Sequence, residues 1–223
     1  MRGVFVSGTD TGIGKTCASA ALLHALRARG LRASGMKPVA SGCRATPAGL
    51  RNEDAEALLA ASDPVPAYAD CNPYALAEPI APHIAARLAG VDIDIAIVRA
   101  ACARIAANAD RVVVEGVGGW AVPFSAQSMQ VELVRALGLP VVLVVGMRLG
   151  CLNHALLSRA AIAADGCVLA GWIANPIEPA MPFAESNLQT LQARIDAPLL
   201  GVLEHAHPFD ARAAARLLDV DAL

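Results

Sequence analysis

Gly3-Val4-Phe5-Val6-Ser7-Gly8-Thr9-Asp10-Thr11-Gly12-Ile13-Gly14-Lys15-Thr16 decides how the 223-residue chain is read. Its first half is rich in β-branched and aromatic residues and bounded by glycine, the pattern of a buried strand. The strand breaks into a loop holding Gly8, Gly12 and Gly14, and an Ala/Leu-rich helix begins near Lys15. Loop amides and a helix start then converge on one anion site, as a phosphate-binding loop requires. In that reading Lys15 reaches the β/γ-phosphates of a nucleotide and the Thr16 hydroxyl meets Mg²⁺. The spacing departs from the usual form by one residue, which would place the leading glycine at Thr9 instead of Gly8. An ordinary strand-to-helix turn with a solvated Lys and Thr is the alternative. Strand, glycine loop, Gly-Lys-Thr and helix agree, and together they favour the nucleotide.

Working outward, residues 15–29 carry Ala18, Ala21, Leu22, Ala25 and Leu26 at helical period, with Gly30 placed to end the helix. Residues 32–37 read as a second strand stopped by Pro38, which completes a parallel βαβ unit. Residues 39–52 read as a loop, and 62–82 as a proline-rich stretch without a regular element until a helix near 82–89. A helix over 92–108 follows, then an apolar strand over 110–115. Further strands are expected at 141–145, 169–174 and 199–203, with helices at 150–165 and 185–195. This is a three-layer, P-loop NTPase-like α/β fold: a mostly parallel central sheet with helices on both faces. The expectation is a single domain spanning 1–223.

Several polar residues fall on the edge where such sheets bind ligands, the C-terminal ends of the strands. Lys37 ends the second strand, Ser41 follows it, and Asp54 opens the next helix. Glu115 ends the apolar strand and runs into Gly116, Gly118 and Gly119; an acid there, beside a phosphate loop, helps hold Mg²⁺. Amides at the helix start Gly150-Cys151-Leu152-Asn153 suit a carboxylate as well as water. Asn175 closes a later strand on the same edge. Net charge is −2 with 17% charged residues and no basic stripe, which argues against nucleic acid as the partner. No apolar run approaches the roughly 18 residues of a membrane span, and the first strand begins at residue 3. A soluble cytoplasmic protein is expected. The six cysteines form no C-x-x-C pair and read as reduced thiols.

Gly-Thr-Asp-Thr-Gly-Ile-Gly-Lys-Thr (8–16), Lys-Pro-Val-Ala-Ser-Gly (37–42), Leu-Arg-Asn-Glu-Asp-Ala (50–55), Asn-Pro-Tyr (72–74), Val-Glu-Gly-Val-Gly-Gly-Trp (114–120), Gly-Cys-Leu-Asn-His-Ala (150–155) and Gly-Trp-Ile-Ala-Asn (171–175) together resemble the dethiobiotin synthetases, nearly end to end. That family's phosphate loop has the extra residue. The resemblance implies an ATP- and Mg²⁺-dependent cyclo-ligase of biotin synthesis. CO₂ adds to 7,8-diaminononanoate as a carbamate, which attacks ATP, and the carbamic–phosphoric anhydride closes to the ring of dethiobiotin with release of ADP and phosphate. It further implies roles for single residues. Gly12, Ile13, Gly14, Lys15, Thr16 and Cys17 would wrap the phosphates, and Thr16, Asp54 and Glu115 would surround Mg²⁺. Gly116, Val117 and Gly118 would lie near the nucleotide, and Asn175 would read the adenine edge. Lys37 would orient and neutralise the carbamate, with Thr11 and Ser41 on the diamine. Gly150, Cys151, Leu152 and Asn153 of a second subunit would bind the substrate carboxylate, making a homodimer part of the site.

The chain departs from the family at Pro176, at Glu204-His205-Ala206 and at Ala81, and the first two bear on nucleotide selectivity. A ParA/MinD-type switch ATPase would carry a Lys early in the phosphate loop, where Gly8-Thr9-Asp10 has none. A P-loop small-molecule kinase would instead release a phosphorylated product.

Overall fold

The computed structural model describes residues 2–221 and 223. The chain opens with strand β1 (Gly3–Gly8), helix α1 (Lys15–Ala28) and strand β2 (Ala33–Met36). Short strands β3 (Val39–Ala40), β4 (Arg44–Thr46) and β5 (Gly49–Arg51) precede α2 (Glu53–Ala61), α3 (Tyr68–Cys71), β6 (Tyr74–Ala75), α4 (Pro82–Leu88) and α5 (Ile95–Ala106). The second half runs β7 (Arg111–Glu115), α6 (Gln130–Leu137), β8 (Val141–Met147), α7 (Cys151–Ala164), β9 (Leu169–Pro176), α8 (Ala184–Gln192), β10 (Leu199–Val202) and α9 (Ala211–Ala214).

Six strands form the central sheet in the order β10-β9-β8-β1-β7-β2. All five neighbouring pairs are parallel. Parallel neighbours need crossovers, and the helices that supply them cover both faces. Alternation along β1 shows the division. Phe5 points into a core with Met36, Val112, Leu143 and Trp172, packed by α5, α6, α7 and α8. Val4 and Val6 point into the other, with Val113, Val142, Ile173 and the α1 residues Ala18, Ala21 and Leu22. Each fully buried large side chain such as Phe5 or Leu22 is worth about 1.5–3 kcal/mol of transfer free energy.

The register places the chemistry. Val6 of β1 lies opposite Glu115 of β7, and Gly8 opposite Val144 of β8. The phosphate loop therefore leaves the middle of the sheet directly beside the β7 carboxylate.

Three expectations from sequence are corrected. Residues 39–52 are not an irregular loop: β4 and β5 form a hairpin turned at Gly49 (φ 96°), and β3 pairs in parallel with β6. Residues 62–82 hold α3 and β6 before α4 begins. Helix α6 falls in a stretch, 121–140, where no element was expected. The β3–β6 pairing joins residues far apart along the chain, a contact that local periodicity does not record.

Candidate active site

Gly14 is the left-handed N-cap of α1 (φ 82°), so the first-turn amides of that helix open toward the loop. A side chain at Gly14 would collide with Asn175, since an added Cβ would lie 2.1 Å from Asn175 Nδ2. That amide donates to the Ile13 carbonyl at 2.7 Å, so Asn175 is braced against the phosphate loop at the end of β9. Thr11 and Gly12 are exposed, whereas Ile13 is buried beneath them.

Lys15 is 7% exposed, and its ammonium donates to the Asp10 carbonyl at 2.8 Å. Burial first, and then the nearby Lys37 charge, push its pKa from 10.5 down to about 8, against Glu115, Asp54 and Asp10. The Asp10 carboxylate takes the Thr11 N–H and pairs with Arg148 at 2.8 Å.

Behind the loop four side chains meet. Thr16 Oγ1 lies 2.8 Å from Asp54 Oδ1 and 3.0 Å from Glu115 Oε1. Lys37 Nζ contacts Glu115 Oε1 at 2.6 Å, Asp54 Oδ2 at 2.9 Å and the Gly116 carbonyl at 3.2 Å. All three ammonium donors are thus taken. Burial opposes the Lys37 charge, but Glu115 and Asp54 outweigh it and hold the pKa above the ordinary lysine value. Burial likewise works against the Asp54 charge, yet Lys37 and the Thr16 hydroxyl hold its pKa below the usual carboxylate range. Cys17 faces the same two carboxylates; burial and their charge raise its thiol pKa, so it is not an activated nucleophile.

Mg²⁺ fits this donor set. The ion takes hard oxygen ligands, commonly one or two carboxylates completed by substrate phosphate and water. Thr16, Asp54 and Glu115 supply three oxygens at one point, and Glu115 Oε2 is buried with no hydrogen-bond partner among the described residues. No group of three or more His, Cys, Asp or Glu side chains is arranged for a metal among the described residues. An all-protein cage of such ligands is therefore not what these residues offer.

The glycine loop after β7 is held from behind. Gln130, the first residue of α6, accepts from Val117 N–H and donates to the Gly119 carbonyl, both at 2.8 Å. A Cβ at Gly116 would meet Gln130 Oε1 at 2.8 Å and the Phe5 ring at 2.9 Å, so the loop lies tight on the core. Gly118 approaches Thr11: a Cβ there would lie 3.7 Å from Thr11 Oγ1. Ser41 Oγ is buried without a partner among the described residues, a polar atom in want of a ligand or water.

Gly150 caps α7 and Cys151, Leu152 and Asn153 open it; among the described residues none of the four makes a side-chain hydrogen bond to this cluster. Arg148, whose carbonyl accepts from Cys151 N–H at 3.0 Å, joins that helix start to Asp10. Sequence reading missed Arg148 and Gln130. Arg148 carried a signal, being the first charge after an apolar strand on the ligand edge. So did Gln130, a polar residue three and four positions before Leu133 and Val134 on a buried helix face.

The family model described as "AAA domain" matches residues 2–213. The "ATP-dependent dethiobiotin synthetase BioD" of Xanthomonas oryzae pv. oryzae (strain PXO99A) is 57% identical over 216 residues, 97% of this chain and 96% of that one. The protein of the same name from Xanthomonas campestris pv. campestris (strain 8004) is 61% identical over 197 residues, 88% of each. Among solved structures, the MinD cell division protein of Aquifex aeolicus superposes with a TM-score of 0.57 at 15% identity, covering 96% of this chain and 93% of that one. Cell division protein FtsY of Thermotoga maritima gives 0.56 at 17% identity, covering 95% and 63%. At such identities these two likenesses bear on the fold alone.

The Lys15 shift has a consequence for stability. Its folded-state pKa lies below the unfolded one, so the protonated side chain opposes folding fully below about pH 8. The penalty lifts as pH rises toward 10.5. Lys15→Met is therefore expected to stabilise the ligand-free protein at pH 7 by on the order of 2 kcal/mol. That advantage should shrink between pH 8 and 10.5 in denaturant titrations. A destabilised variant, or a gap independent of pH, would show that Lys15 is not held against its charge.

Proposed function

Because the chain belongs to the ATP-dependent dethiobiotin synthetase family and is a ligase, we propose that it closes 7,8-diaminononanoate with CO₂ into dethiobiotin, consuming ATP with Mg²⁺. The observation that carries this reading is the convergence of Lys15, Lys37, Thr16, Asp54 and Glu115 at the mouth of the phosphate loop.

An amine of the substrate attacks CO₂, forming the N–C bond of a carbamate and losing a proton. A carbamate oxygen then attacks the γ-phosphorus of ATP, the bond to the β-phosphate oxygen breaks, and ADP leaves. The second amine attacks the carbonyl carbon of the resulting anhydride. The carbon–oxygen bond to phosphate breaks, and the cyclic urea and inorganic phosphate are released with a proton.

Carbamate and triphosphate are both anions, so their approach needs fixed positive charge and oriented donors. Lys15 exchanges the Asp10 carbonyl for the β/γ-phosphates, joined by the amides of Gly12 to Cys17. Lys37 gives up one carboxylate partner and donates to the carbamate, holding it in line with the γ-phosphorus. Thr11 and Ser41 position the diamine; the unpartnered Ser41 hydroxyl is available for this. Thr16, Asp54 and Glu115 would hold Mg²⁺, which supplies charge neutralisation of the phosphates when bound. Gly116, Val117 and Gly118 wall the nucleotide, and Asn175 offers its remaining amide hydrogen and carbonyl to the base. The second copy of the chain brings Gly150, Cys151, Leu152 and Asn153 to the substrate carboxylate. The exposed Leu149 (95%) and Leu157 (62%) around that helix start support a subunit contact there. We place the enzyme in the cytoplasm as one domain. Among the described residues no helix is long and apolar enough to cross a membrane.

Incubation with ATP, Mg²⁺, bicarbonate and diaminononanoate is expected to yield a product of dethiobiotin mass, with phosphate release that requires both co-substrates. A stable phosphorylated product would favour a kinase, and phosphate release indifferent to the diamine would favour a switch ATPase. Lys37→Gln should lose at least about a hundredfold in kcat, in the range set by loss of one preorganised donor. ATP affinity should persist in that variant. Turnover at the wild-type rate would remove Lys37 from the reaction.

A further inference from the structure

The Asn72-Pro73-Tyr74 motif and the short helix before it have no part in the chemistry above, yet they touch its two ends. Tyr68 Oη accepts from the Asn52 backbone N–H at 2.8 Å and donates to Asn72 Oδ1 at 3.1 Å. Asn72 Nδ2 donates in turn to the Lys37 carbonyl at 2.7 Å. Asn52 is the N-cap of α2, accepting from Ala55 N–H at 3.2 Å, and it stands two residues before Asp54. The Lys37 N–H donates to the Cys71 carbonyl at 2.8 Å, fixing the same backbone unit from its other side.

We propose that Tyr68 and Asn72 are positioning residues that set the separation of Lys37 from Asp54. The chain Asn52 N–H, Tyr68 hydroxyl, Asn72 amide, Lys37 carbonyl ties the backbone carrying the lysine to the cap of the helix carrying the acid. Across the same gap the two side chains meet at 2.9 Å. The two connections form a closed frame, one side made of side-chain and backbone hydrogen bonds, the other of the ion pair. If Lys37 gives up Asp54 to meet substrate, the hydrogen-bonded side of the frame still ties its backbone to α2. Asn52 and Asn72 are buried, at 8% and 3% exposure, and Tyr68 is half-buried between them. The Arg51 guanidinium lies over the Tyr68 ring, 4.0 Å from its centre, and packs the ring against the approach to α2. A displacement on the order of 1 Å is enough to cost about a hundredfold in rate when reacting groups must be aligned.

This inference rests on the role proposed for Lys37. Tyr68→Phe keeps the ring under Arg51 and deletes only the hydroxyl, and Asn72→Ala cuts the next link. Both variants, their double and Lys37→Gln are compared as full-length protein well below their melting temperatures. Tyr68→Phe is expected to lose about tenfold in kcat, with ATP affinity by calorimetry within about twofold of wild type. The double variant should be no slower than the slower single, because both cut one chain. Wild-type kcat in Tyr68→Phe, losses that multiply in the double, or ATP affinity falling in step with kcat would each overturn the proposal. If Asn72→Ala does not fold, Tyr68→Phe alone decides. An active Lys37→Gln would instead sink the reading of Lys37 itself, whereas an inactive one beside a fully active Tyr68→Phe sinks only the frame.

Discussion

A lysine ammonium buried at 4% exposure is the constraint around which the structure is arranged. Such a group survives burial only if its charge and all three donors are answered. Glu115 and Asp54 answer the charge, and the Gly116 carbonyl takes the third donor. Loss of one partner from a buried pair costs about 3–5 kcal/mol. The fold must therefore bring residues 37, 54 and 115 together. It does so with two adjacent strand ends and a capped helix start: β2 and β7 are neighbours in the sheet, and Asn52 caps α2.

The phosphate loop completes an arrangement whose charged groups are paired with one another. Lys15 rests on the Asp10 carbonyl, Arg148 on the Asp10 carboxylate, and the Thr16 hydroxyl between two acids. Each of these contacts is made by a group whose chemistry suits a phosphate or a divalent ion. Ligands in this scheme replace existing partners and need build no new pocket. Gln130 and the tight seat of Gly116 hold the opposite wall against the core.

Much of this was legible in the sequence where the signal is local. The strand, glycine loop and Lys15-Thr16 announce an anion site by their order alone, and Glu115 stands out as a carboxylate ending an apolar strand. Strands β7 and β8 and helices α1, α4 and α7 lie within a few residues of their expected bounds. Elements made by distant pairing were not legible: β3 finds its partner 35 residues later, as Val39 meets Tyr74. Helix α6 is only eight residues long and follows a stretch without strong punctuation. In the site, Lys37 and Asp54 were picked out by position, but their mutual ion pair was not. Ion pairing depends on how α2 is docked, and that is set by packing such as Leu58 against the α1 core. Tyr68 acts through the Asn52 backbone N–H and the Asn72 side chain, links that no residue pattern marks.

The central claim is that the two anionic reactants meet between Lys15 and Lys37. A crystal structure with a non-hydrolysable ATP analogue, Mg²⁺ and diaminononanoate tests it most directly. The prediction is a γ-phosphate bound by Lys15 Nζ, which has left the Asp10 carbonyl, with a substrate amine on the Lys37 side of that phosphate. A triphosphate seated elsewhere, or Lys15 still bonded to Asp10 with nucleotide present, would contradict it.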